Sequence, residues 1–309
     1  MKRTYRVSKW GTVARSQPGP VATRWAVTAA VLGLVTLATA LLAVTFTSAG
    51  RRIGPAAPPM EGQTAVGSAG RHLHTFGQQR PVPIGSVAKV MTAYVVLRHH
   101  PLKSDDDGPK LQVGPADVRD YEGRRSTGQS LLEVQAGDEL TERQALEALL
   151  IPSANNIADL LADWDAGSIG DFVADMNATA RALGLRNTHY VDPSGFEPAT
   201  VSTAVDQTRL AEHAMRIPAL ADIVGQRSVR LPRAGTVRNY NALLGTDGVI
   251  GLKTGTTDQA GGNLVFAARD GRRLIVGAVL GQKIGASTQD SLAQAFGVAR
   301  YLIESVRRG

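Results

Sequence analysis

"NLVFAARDGRRLIVGAVLG", Asn263 to Gly281, reads as two strands folded back on each other. The runs "NLVFAAR" and "RRLIVGAVLG" are apolar and strand-like, and Asp270-Gly271 between them is a two-residue hairpin signal. Just upstream, "GVIGLKTGTT" (Gly248 to Thr257) has the same strand character. Far upstream, "QTAVG" and "RHLHTF" (Gln63 to Phe76) predict a short strand pair across a Gly-Ser-Ala-Gly turn. The region between these ends is helical in pattern. "LTERQALEALL" (Leu140 to Leu150) is amphipathic, with Thr141 placed to cap it and Pro152 to end it. "NNIADLLADW" and "IGDFVADMNATARALG" predict two more helices, the second closed by Gly184. "SLAQAFGVARYLIESVRR" predicts a closing helix with Arg307 and Arg308 favourably placed in its last turn. Residues 101–137 read as loop-rich, and their "SDDDG" as a solvated turn. Strands at both ends with helices between them predict an α+β domain. One antiparallel sheet would be flanked by helices, with a helical subdomain between Ser86 and about residue 230.

The chain has 309 residues and a net charge of +7, but the charge is not spread evenly. Lys2, Arg3, Arg6, Lys9, Arg15, Arg24, Arg51 and Arg52 precede the first acid, Glu61, and the remaining basic and acidic residues nearly cancel. This rejects the nucleic-acid reading that a basic protein invites. The basic residues bracket an uncharged apolar stretch, Trp25 to Phe46. At 1.5 Å per helical residue it would span about 33 Å, the thickness of a bilayer's hydrocarbon core. The expected organisation is a basic cytoplasmic tail (1–24), a transmembrane signal-anchor (25–47), a linker (48–62) and a domain (63–309) on the outer side of the membrane. The competing reading of the apolar stretch is a cleaved signal peptide ending at Ala49; such peptides usually have a shorter apolar region. The chain has no cysteine, which removes disulfides, a thiol nucleophile and cysteine–zinc sites.

The chemistry centres on "PIGSVAKVMTAYVVL", Pro83 to Leu97. Val87, Val90, Met91, Tyr94, Val95 and Leu97 give a broad apolar face, yet Lys89 stands in it three residues after Ser86. Positions three apart share a helix face. A serine hydroxyl becomes a nucleophile when a base takes its proton, and burial can make a lysine that base by disfavouring its ammonium form. The plain alternative is a serine capping a helix and a lysine reaching out to water. Two more stretches bear on the choice: "PSANN", with Ser153 and Asn155, and "KTGTT", with Lys253, Thr254, Gly255 and Thr256. Each alone is an ordinary turn or strand. Together S-x-x-K, S-x-N and K-T-G, each present once and in this order, form the signature of penicillin-binding proteins and class A β-lactamases.

With these motifs the chain resembles the serine-type D-alanyl-D-alanine carboxypeptidases, the low-molecular-mass penicillin-binding proteins. "THYVDPSGF", "STAVDQTRLA", "NYNALL" and "GVIGLKTGTTDQAGGNLVFAA" extend the resemblance over roughly 63–309. The resemblance implies a β-lactamase/transpeptidase-like fold and removal of the terminal D-alanine from peptidoglycan stem peptides ending in D-Ala-D-Ala. It also implies an acyl-serine intermediate, inhibition by β-lactams and no cofactor or metal. It makes Ser86 the nucleophile, Lys89 its base, and Ser153 a proton relay held between Lys89 and Lys253. Asn155 would bind the substrate amide. Lys253, Thr254 and Thr256 would hold the terminal carboxylate, and Gly255 would let the substrate backbone lie along the strand. The backbone N–H groups of Ser86 and Thr256 would form the oxyanion hole. Gly85, Tyr240 and Thr256 depart from residues common in the family, which bears on carboxylate recognition and not on the acyl-enzyme chemistry.

Other activities are less well served. A class A β-lactamase needs E-x-x-x-N between the second and third motifs, but Glu197 and Glu212 are followed at that spacing by Val201 and Arg216. There is no G-x-S-x-G and no H-E-x-x-H, and the six histidines read as surface or packing residues. A binder of cell-wall peptides with little turnover remains as the non-catalytic alternative.

Overall fold

The computed structural model describes residues 61–308. The expected tail and anchor, and nearly all of the linker, lie outside the described residues. Among the described residues no helix is long and apolar enough to cross a membrane.

The strands β1 (Gln63–Ser68), β2 (His74–Phe76), β3 (Val249–Thr257), β4 (Gly261–Asp270) and β5 (Arg273–Gln282) form one antiparallel sheet in the order β2-β1-β5-β4-β3. The first and last parts of the chain thus meet in the middle of the sheet, where Ala65 pairs with Ala278. The tight connection of β4 to β5 is Gly271-Arg272, one residue beyond the expected Asp270-Gly271. Asp270 still pairs with Arg273, and Gly271 supplies the positive φ, 58°, that the first central position of such a turn requires.

The apolar runs of the sheet are continuous because both faces are covered. Successive side chains point to opposite faces. Val265, Ala267, Val276, Ala278 and Leu280 enter the core shared with the helical region. Leu264, Phe266, Ala268, Ile275 and Val279 enter a second core under the closing helix.

Among the described residues eight α-helices accompany the sheet: α1 (Lys89–His99), α2 (Pro115–Arg124), α3 (Glu142–Leu150), α4 (Asn155–Ala166), α5 (Ile169–Ala182), α6 (Ala204–Ala214), α7 (Pro218–Gly225) and α8 (Thr288–Arg308). Three local stops and starts follow the sequence closely. Thr141 Oγ1 accepts from Gln144 N at 3.2 Å while Gln144 Oε1 accepts from Thr141 N at 3.0 Å, a reciprocal cap on α3. Gly184, at φ 70°, turns the chain after α5. Arg307 in the last turn of α8 donates to Asp247 O at 2.8 Å. Three two-stranded ribbons, Val82–Pro83 with Val201–Ser202, Lys110–Gln112 with Glu139–Thr141, and Ser228–Leu231 with Gly235–Arg238, sit around the helical region.

The expected loop at 101–137 contains α2, which sequence pattern did not predict. None of its residues is buried, so it has no apolar stripe to betray it. Its start was nonetheless marked, by Pro115 at the first helical position and by Asp117, whose carboxylate accepts from Gly114 N at 2.7 Å.

Candidate active site

The chain enters the core through a single 3₁₀ turn, Gly85–Ala88, that leads directly into α1. Ser86 stands in that turn and Lys89 is the first residue of α1, so three positions of helical rise place both side chains on one face. Lys89 Nζ donates to Ser86 Oγ at 2.9 Å, to Asn155 Oδ1 at 2.6 Å and to Ser194 O at 2.8 Å. All three donors of an ammonium are therefore used although Lys89 is 0% exposed. Burial holds its ammonium well below the ordinary lysine value, the neighbouring Lys253 cation pushes the same way, and the carboxylates of Asp192 and Asp159 oppose both. The lysine does not reach out to water; the buried reading of the sequence is the one the structure adopts.

Asn155 opens α4, and its two amide atoms face different partners: Oδ1 takes the Lys89 bond and Nδ2 donates to Gln129 Oε1 at 2.7 Å. Ser153 lies two residues earlier in the turn between α3 and α4, with φ of 67°, a left-handed conformation unusual for serine. Its Oγ is buried and makes no hydrogen bond among the described residues. Lys253 Nζ donates to Thr254 O at 3.0 Å. The bridge expected from Lys89 through Ser153 to Lys253 is thus not formed by hydrogen bonds in this structure. Lys253 is 1% exposed, and burial pushes its ammonium down to about 7.

β3 brings "KTGTT" alongside Ser86. A Cβ placed at Gly255 would lie 2.8 Å from Val87 N, 2.9 Å from Ser86 N and 3.0 Å from Ile84 O. Gly255 is therefore required by the approach of the strand to the Ser86 turn itself. The same contact sets the backbone nitrogens of Ser86 and Thr256 close together: a Cβ at Gly85, which has φ of 53°, would come within 3.3 Å of Thr256 N.

Ser86, Ser153, Asn155, Thr254, Gly255 and Thr256 all line one cleft of about 520 Å³, with Gln129 and Thr257 on its walls and the half-exposed Phe196 and Tyr240 at its rim. Lys89 and Lys253 lie beneath the surface of this cleft.

Sequence reasoning missed the support under Lys89. Asp192 gathers the loop "DPSGF": Oδ2 accepts from Ser194 Oγ at 2.6 Å and from Phe196 N at 2.9 Å, and Oδ1 accepts from Thr200 Oγ1 at 2.5 Å. Thr92 of α1 ties the same loop by donating to Pro193 O at 2.5 Å. This holds the Ser194 carbonyl against Lys89. Gly195, at φ 78°, packs where a Cβ would collide with the Gly85 carbonyl. A backbone acceptor leaves no side-chain signature, but an Asp directly before Pro-Ser-Gly is an Asx-turn signal that could have drawn attention to the loop.

A serine hydroxyl bonded to a fully buried lysine, at the floor of an open cleft, is the equipment of a serine hydrolase that works through an acyl-enzyme. Comparison with known proteins specifies the kind. The profile of the peptidase S11 family, D-alanyl-D-alanine carboxypeptidase, matches residues 65–284, and the chain belongs to this family. It is 32% identical over 243 residues to a D-alanyl-D-alanine carboxypeptidase of Streptomyces sp. strain K15, covering 73% of this chain and 81% of that protein. It is 34% identical over 253 residues to a D-alanyl-D-alanine endopeptidase of Pseudomonas aeruginosa, covering 76% and 77%. Among solved structures it is similar to the Streptomyces K15 DD-transpeptidase, with TM-score 0.68 and 29% identity over 81% of this chain and 99% of that one. Penicillin binding protein 6B of Escherichia coli matches with TM-score 0.69 and 29% identity over 82% and 81%. The expected α+β fold, a sheet flanked by helices with a helical subdomain, is that of these relatives.

Proposed function

We propose that Ser86 is the acylated nucleophile of a D-Ala-D-Ala carboxypeptidase and Lys89 its general base. The observation that carries this is the 2.9 Å bond between Ser86 Oγ and the wholly buried Lys89 Nζ. Neutral Lys89 takes the serine proton as Oγ attacks the carbonyl of the penultimate D-alanine of a stem peptide. The N–H groups of Ser86 and Thr256 hold the developing oxyanion, a device worth about 3–4 kcal/mol for one removable donor. The terminal D-alanine leaves as the amine, receiving the proton, and water releases the acyl group. Ser153 lines the same cleft and its buried hydroxyl has no partner among the described residues, which leaves it the group available to pass a proton to the departing amine. Asn155 orients the peptide amide, and Thr254, Thr256 and the Lys253 charge receive the terminal carboxylate. A β-lactam acylates the same serine and leaves slowly.

The relatives are named carboxypeptidase, endopeptidase and transpeptidase, three outcomes of one acyl-serine that differ in what is cut and what accepts the acyl group. Segment 25–47 anchors the chain, and the domain 63–309 works on the outer side of the membrane; the charge-free apolar run and the basic residues before it support this.

The test compares the wild-type chain and Ser86→Ala for D-alanine release from a peptide ending in D-Ala-D-Ala, alongside covalent labelling by a fluorescent penicillin. Both signals are expected in wild type and neither in the variant. Labelling that survives Ser86→Ala would remove Ser86 from the nucleophile's role. Labelling without release in wild type would turn the reading toward a receptor with little turnover.

A further inference from the structure

α1 and α4 run side by side in the same direction, tied at both ends. At their starts Lys89 bonds to Asn155; ten residues on, at their ends, His99 Nδ1 lies 2.8 Å from Asp165 Oδ2. Ten residues of helix separate the two ties by about 15 Å, so the second lies away from the catalytic cleft. A third helix reaches the far tie: one ligand atom each from His99, Asp165 and Asp175 of α5 lies within 4.8 Å of the others. His100 approaches from the opposite side, with Nε2 3.0 Å from Asp165 Oδ1.

The Asp165 side chain is 0% exposed, and its Oδ1 has no hydrogen bond among the described residues, because the approach of His100 is not aligned for one. Asp175 makes no hydrogen bond or ion pair there either. Two carboxylates, one of them fully enclosed, thus converge where the carbonyl ends of α1 and α4 already carry negative partial charge, a place that favours a cation. The sequence had given these histidines no role beyond surface or packing.

We propose that His99, Asp165 and Asp175 form a binding site for a divalent transition cation of the Zn²⁺ type, with His100 as the outer partner that orients Asp165. One imidazole nitrogen and two carboxylate oxygens, without thiolate, suit Zn²⁺, and water completes four-coordination. Ligand distances of about 2.0–2.2 Å bring neighbouring donors to roughly 3.3 Å from one another, which side-chain rotation about the present positions can supply. Zn²⁺ takes the place of the hydrogen now shared by His99 and Asp165. His100 Nε2, already 3.0 Å from the second oxygen of Asp165, needs only to realign to support that carboxylate from outside, the usual arrangement of such sites. Bound there, the ion clamps the far ends of the two helices whose near ends carry Lys89 and Asn155. The His99 ring, 44% exposed, gives the ion a way in.

The test uses the untagged full chain, stripped with chelator and dialysed, then titrated with Zn²⁺ by calorimetry and followed by thermal unfolding. One equivalent is expected to bind. At free Zn²⁺ about a hundredfold above Kd the unfolding temperature is expected to rise by about 5–10 °C. Asp175→Asn, which disturbs no existing bond, and His99→Gln should each abolish the shift, and His100→Ala should weaken binding about tenfold or more. The absence of saturable binding to wild type, or an undiminished shift in Asp175→Asn, would overturn the proposal.

Discussion

Gly255 of β3 lies against the backbone of Ser86, so closely that a Cβ at 255 would come within 2.9 Å of the Ser86 nitrogen. The obstacles are backbone atoms of the Ser86 turn, not a side chain that can swing aside. Gly255→Ala must therefore push the strand and the turn apart and spoil the pairing of the two N–H groups proposed to hold the oxyanion. We expect penicillin acylation to slow by about 10²–10³, the loss found when one such donor is removed. Circular dichroism should report an intact fold. An acylation rate within a few fold of wild type would show that the N–H pair is not set by this contact.

Asp192 acts one step further from the chemistry. It touches neither Ser86 nor Lys89, but four of its bonds fold the loop that presents Ser194 O to Lys89 at 2.8 Å. Asp192→Ala should free the loop and let Lys89 shift from Ser86, lowering the acylation rate about tenfold to a hundredfold, as small misplacements do. The check is the second-order rate constant for penicillin labelling, measured beside the unfolding temperature. A fall in stability with an unchanged rate would leave Asp192 a purely structural residue.

The difference between these two residues shows what was legible. Ser86, Lys89, Ser153, Asn155, Lys253, Thr254, Gly255 and Thr256 were marked by side-chain type and order, and all gather at one cleft or directly beneath it. The strands and the α3 cap were marked by apolar runs and by Thr141. What stayed hidden was carried by backbone or by spatial approach. The Ser194 carbonyl, the contact of Gly255 with the Ser86 turn and the pairing of Asn155 with Gln129 depend on loops that meet only in the fold. α2 stayed hidden for the opposite reason, having no buried face to leave a pattern.

The α3 cap separates stability from catalysis. Thr141→Ala removes the side-chain acceptor for Gln144 N, a loss of about 1 kcal/mol. For a domain of this size that is a fall of about 2–4 °C in unfolding temperature. The penicillin labelling rate at 25 °C should not change, because α3 contributes no side chain to the cleft. A parallel fall in labelling would reveal a coupling between α3 and the Ser153 turn that follows it.

The two buried lysines give the chain a pH dependence whose sign can be worked out. Lys253 is pushed to about 7 in the folded chain from an ordinary 10.5. Between those values the unfolded chain binds more protons than the folded one, so stability rises with pH across that window, and Lys89 adds in the same direction. Catalysis follows a related rule. With Lys89 as the proposed base, acylation needs it neutral, and the Lys253 cation helps to keep it neutral by lowering its affinity for a proton. Lys253→Met removes that cation, so the Lys89 value should rise and the acid limb of the pH–acylation profile should move to higher pH. The two lysines titrate as a pair, so the shift is read on the limb as a whole, not as the constant of one residue. The measurement is the labelling rate by a fluorescent penicillin from pH 5 to 9 in both proteins. An acid limb that stays in place would mean that a group other than Lys89 takes the serine proton. A limb that moves to lower pH would mean that Lys253 acts on Lys89 through position and not through charge.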